Sequence, residues 1–160
     1  MKKTLGSLVL GLALMMGAVQ LAHAKGGNKY HAYNLTGESI GLAGYDPVAY
    51  FPEGGGKPQK GLYDITAEHD GVTWRFATKE NRDLFKKSPE KYLPAYGGWC
   101  AFAVGGENLR FDADPTNYII KDGKVFVFYR DPKNDTKVLW EKDAENLYKK
   151  AEANWPKLSK

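Results

Sequence analysis

The sequence predicts an α+β fold: a β-hairpin packed on a helix, extended by a second β-hairpin and a C-terminal amphipathic helix. Three observations predict it. Asp70-Gly71, the pair a two-residue type I′ turn prefers, lies between two runs of alternating polarity. A helix with a cap and dipole-matched ends follows that hairpin directly. Near the C-terminus, Trp140, Ala144, Leu147, Ala151 and Trp155 recur at helical spacing, with Lys and Glu opposite.

Residues 1–24 are set apart from the fold. Lys2 and Lys3 precede an uncharged apolar run over 5–19, and Ala22-His23-Ala24 fits a small-x-small cleavage pattern. Together these read as a secretory signal peptide. The rival reading is a membrane anchor, but the run is shorter than the roughly 20 residues a bilayer span needs. The expected address is periplasmic or secreted, with no stable membrane anchor after cleavage. The remaining chain is one domain by length. The formal charge of +4 includes Lys2 and Lys3, so the rest carries +2, with the charges interspersed. Nothing in that balance calls for nucleic acid.

Residues 25–39 are polar and glycine-containing, and the expectation is a flexible N-terminal segment before a single domain over 40–158. Asp46-Pro47 marks a turn or helix start. Residues 52–60, with Gly54-Gly55-Gly56 and Pro58, read as a surface loop. In the hairpin over 65–76, the turn sets His69 opposite Val72, Ala67 opposite Trp74 and Ile65 opposite Phe76, all on one face. His69 is the polar exception on that face. Thr78 is placed to cap the next helix, and Leu84 and Phe85 are its core contacts. Ser88 and Pro89 start a second short helix that Pro94 ends. The run Tyr96-Gly97-Gly98-Trp99-Cys100 turns into an apolar stretch. The second hairpin surrounds Asp122-Gly123, and its strand Val125 to Tyr129 is apolar on both faces, so it should be covered on both sides. The last helix is expected from about 136 to 155, with Pro156 as its stop.

DPVAY at Asp46, GVTWRF at Gly71 and LFKKSPEKYL at Leu84 resemble the YHS domain, whose pattern is a DPV start, G-x-x-[YW]-x-F and then F-x-x-x-P-E-K-Y. YGGWCAFAV and WEKDAENLYKKAEANWPKL resemble a secreted bacterial subgroup of that family. The resemblance implies a small treble-clef-like hairpin and helix, and an association with metal ions, copper among them. In the metal-linked members, cysteines follow DPV and follow the strand Phe, and another can occur on the helix. This chain has Ala49, Ala77 and Asn81 at those places.

The candidate ligands are therefore few. Cys100 is the only cysteine, and an odd cysteine in an exported chain is a buried inert thiol, an intermolecular partner or a functional thiol. Two glycines precede it and a helix-compatible run follows, which favours a thiolate. His69 and Asp46 complete the candidate metal set. His31 falls in the segment expected to be flexible. Tyr45, Tyr50, Tyr96, Trp99 and Phe102 are candidates for an aromatic pocket near Cys100. No H-x-x-x-H, C-x-x-C or G-x-S-x-G occurs, so no catalytic constellation is complete. The favoured reading is a non-enzymatic metal-binding or metal-handling accessory protein for copper or zinc. One thiolate and one imidazole are too few for a tight site in a monomer, so the expectation is weak binding, or a site completed by a homodimer or protein partner. The alternatives are a partner-binding module with a buried cysteine and a thiol-dependent enzyme.

Overall fold

The computed structural model describes residues 29–160, so the leader read over 1–24 lies outside the described residues. The first sheet has four short strands: β1 (Leu35–Thr36), β2 (Ile40–Gly41), β3 (Thr66–His69) and β4 (Val72–Arg75), in the order β1-β2-β4-β3. β2 runs parallel to β4, with Ile40 opposite Thr73, and the other pairings are antiparallel. The β3–β4 register is the one the turn dictates: His69 opposite Val72 and Ala67 opposite Trp74. Asp70 and Gly71 both adopt positive φ (52° and 71°), as a type I′ turn requires. Val72, Trp74 and Phe76 point into the core, and Thr66 and Glu68 face solvent.

α1 (Lys29–Ala32) precedes the sheet. α2 (Lys79–Lys87) begins where the Thr78 hydroxyl accepts the Asn81 amide, and it buries Phe85 against the hairpin. α3 (Pro89–Tyr92) starts on Pro89. Ser88, expected to cap it, makes no side-chain cap bond and instead closes α2 through its own amide.

The segment expected to be flexible is tied down from His31 onward. Gly97 and Gly98 adopt positive φ and let the chain cross over them closely. A Cβ on Gly97 would stand 1.8 Å from the Ala32 carbonyl oxygen, so only glycine fits. The Asn34 amide donates to the Gly97 carbonyl at 3.0 Å, and the Trp99 indole donates to the His31 carbonyl at 3.1 Å. His31 Nδ1 in turn lies 2.8 Å from the Lys160 carbonyl oxygen, which joins the two ends of the described chain.

The second sheet is a two-stranded ribbon, β5 (Asp114–Lys121) and β6 (Lys124–Phe128), turned by Asp122 and Gly123 at positive φ. β6 has both faces covered, as its sequence demands. Val125 and Val127 pack into a core with Tyr50, Trp74, Phe76 and Phe85. Phe126 and Phe128 pack into a second core with Tyr96, Trp140, Leu147 and Ala151. Coverage on both faces comes from two cores rather than from a central place in a sheet.

The C-terminal helix is two helices, α4 (Thr136–Glu141) and α5 (Ala144–Leu158). Asp143 leaves helical space (φ −148°, ψ 43°) and restarts the chain, so the expected single helix breaks there. The apolar stripe nonetheless faces one core, as the spacing predicts. Pro156 lies inside α5 instead of stopping it. With only two helical residues beyond it, the missing N–H removes little of the ladder. Among the described residues, no helix is long and apolar enough to cross a membrane.

Candidate metal centre

The three ligands expected from the sequence occupy separate environments. Asp46 is fully buried after the bridge that pairs Tyr45 with Lys60. Its Oδ1 accepts the amides of Val48 (2.8 Å) and Ala49 (3.3 Å), which makes the Asp46-Pro47 segment a turn closed by the side chain. Its Oδ2 accepts the Ala77 amide (2.8 Å) and Asn81 Nδ2 (2.7 Å). Four N–H donors therefore occupy this carboxylate, and it ties the turn to the start of α2. Positions 49, 77 and 81, far apart in sequence, all meet at Asp46.

Cys100 is buried at the start of the helical turn that runs into a π-type segment over Ala103–Glu107. The Thr136 hydroxyl donates to the Tyr129 carbonyl at 2.9 Å. Its proton is thus committed, and the 3.4 Å contact with Sγ is one in which the thiol donates to Thr136 Oγ1. The Tyr129 amide donates back to Sγ at 3.3 Å. Thiol, hydroxyl and peptide close a ring that fastens the 100–107 segment to the end of β6 and the start of α4. A ligating thiolate must lose the proton that this ring uses. The donor set at Cys100 therefore does not fit a soft-metal site in this conformation. The five aromatics expected to share a pocket with it divide between the two cores, Tyr45 and Tyr50 in one and Tyr96, Trp99 and Phe102 in the other.

His69 has the metal-compatible surroundings. It stands at the turn end of β3, where the register sets it beside Asp70 and over α3. Its Nε2 lies 3.1 Å from Glu90 Oε1 and 3.6 Å from Asp70 Oδ2. Its ring meets Phe85 edge to face with centroids 6.0 Å apart, which fixes the imidazole plane. Among the described residues, His69, Asp70 and Glu90 form a group whose ligand atoms all lie within 4.8 Å of one another, and neither Cys100 nor Asp46 belongs to it. Tyr33 OH donates to Asp70 Oδ2 at 3.1 Å. Burial, and then the nearby Asp70 charge, push the Tyr33 phenol well above its ordinary value, so it stays a donor. The Glu90 backbone is held as well, because the Lys124 ammonium donates to its carbonyl.

Asp70 and Glu90 escaped the sequence reading for different reasons. Asp70 is a turn residue whose identity the turn already explains. Glu90 lies 21 residues from His69, and only the packing of α3 against the hairpin tip brings it near. Comparison with known proteins returned no matching family model, no match among curated proteins and none among solved structures.

Proposed function

We propose that the chain is an exported, non-enzymatic metal-handling protein of YHS type that binds a divalent ion at His69, Asp70 and Glu90. The observation that carries this reading is the convergence of those three donor groups within 4.8 Å. One imidazole and two carboxylates suit Cu(II) or Zn(II), with Cu(II) held more tightly, and they do not suit Cu(I). Asp70 and Glu90 are largely exposed, so the site is weak and exchangeable, with open positions for water or for donors from a partner or second copy. The YHS part of the reading is supported by the meeting of positions 49, 77 and 81, where metal-linked members carry cysteines, around Asp46. Here a carboxylate and its N–H donors fill that place.

Calorimetric titration with Zn(II) and Cu(II) at pH 7 tests the reading. The expected outcome is one saturable site that His69→Ala abolishes and Cys100→Ser leaves intact. No saturable binding, or binding that survives His69→Ala, overturns it. The burial of Cys100 in its ring favours a second reading, a partner-binding module with an inert cysteine. Slow thiol modification in the native protein, with no metal bound, selects that one.

A further inference from the structure

A groove of about 450 Å³ opens between α5, the chain around Pro94–Gly97, β6 and Tyr33. This volume is in the range that holds small organic ligands. α5 builds one wall from Tyr148, Glu152 and Trp155, which are four and three residues apart and so share one helical face. A carboxylate thus sits between two aromatic rings, one turn away on either side. Tyr96 OH donates to Glu152 Oε1 at 2.9 Å and holds that carboxylate in place. The Tyr96 ring is itself wedged edge to face against Trp155 (5.7 Å) and Phe126 (5.6 Å). Glu90 also lines the groove, with its carboxylate turned to His69. Lys124, the one basic side chain in the lining among the described residues, has its ammonium engaged by the Glu90 carbonyl oxygen. The Tyr148 ring already carries a cation, because the Lys121 ammonium lies 5.0 Å from its centroid.

We propose that this groove binds a small organic cation, an amine or quaternary ammonium bearing an apolar or aromatic group. The cationic head lies at Glu152 between the Tyr148 and Trp155 rings, and the apolar part lies against Phe126. Ring faces attract cations through their quadrupole, and a positioned carboxylate adds charge complementarity. The Glu152 carboxylate, set between the two rings, disfavours an anionic head group at that point.

The test is an NMR titration of ¹⁵N-labelled protein with benzyltrimethylammonium, benzyl alcohol and benzoate, in the presence of EDTA so that no metal contributes. The expected result is a saturable shift of the Trp155 indole N–H with the cation. The cation should bind roughly tenfold or more tightly than benzyl alcohol, and benzoate should cause no shift. Glu152→Gln keeps an acceptor for Tyr96 OH and removes the charge, and it should weaken the cation about tenfold without moving resonances remote from α5. Equal binding of the alcohol, no saturable shift, or a Glu152→Gln protein that binds as before overturns the proposal. The three-probe comparison on the unaltered protein decides the question even if the variant does not fold. Loss of zinc binding in the His69→Ala protein has no bearing on it.

Discussion

Cys100 and Asp46 are the residues whose chemistry the structure redefines. Each is a polar group buried among apolar neighbours, and each escapes the cost of burial by saturating its partners. Replacing Cys100 with Ala breaks the ring and leaves the Tyr129 amide without its acceptor. The expected loss is about 1–3 kcal/mol in urea unfolding, with zinc binding unchanged. An Ala variant as stable as the parent would mean that the ring contributes nothing. At this scale the sequence was partly legible. The dipeptide Asp46-Pro47 announces a turn, because its chemistry is local. The Ala77 and Asn81 donors lie 31 and 35 residues away, so nothing local announces them. The same holds for the Thr136 hydroxyl, 36 residues from Cys100, which meets the thiol at 3.4 Å.

Among the elements, the β3–β4 hairpin was legible because an Asp-Gly pair fixes both turn type and register. In the second hairpin the turn was legible, but the reach of β5 back to Asp114 across a register shift was not. Nor was the N-terminal segment. Its composition reads as loop, and what holds it is a glycine more than sixty residues downstream. Gly97→Ala tests that dependence. The added Cβ meets the Ala32 carbonyl, and φ of +60° strains any L side chain. The expected outcome is a fall in melting temperature and rapid protease cleavage around residues 29–36, with the β3–β4 hairpin still protected. Resistance equal to the parent would show that the segment is held by other contacts. The break at Asp143 was also hidden. The stripe from Trp140 to Trp155 keeps helical spacing across the break, and periodicity alone does not register a residue that steps out and back in.

Over the whole molecule, the alkaline limit of stability rests on three phenols among the described residues. Tyr33, Tyr50 and Tyr96 are each pushed well above the ordinary tyrosine value of 10.0, in each case chiefly by burial. A raised folded-state value means that the folded protein holds these protons more tightly than the unfolded chain does. The associated stability is complete below pH 10 and is lost as pH rises beyond it. Alkaline unfolding should therefore begin above about pH 10, and ionisation of these three phenols, followed through the ring resonances of Tyr33, Tyr50 and Tyr96, should coincide with the loss of circular dichroism. Ionisation of the three while the fold persists would contradict this. The α+β class and the hairpin-plus-helix order were legible in the sequence. The division into two cores was not, since it depends on which side of β6 each distant element takes.

That division has a consequence for how the molecule yields. β6 gives Val125 and Val127 to one core and Phe126 and Phe128 to the other, so alternate residues of a five-residue strand belong to different halves. Neither half can melt alone without stripping one face of the strand that the other half needs intact. The chain should therefore open in a single cooperative event, with the amides of β6 among the last to exchange with solvent. A lesion under α5 should be felt beneath the first hairpin, and the two would then fail together.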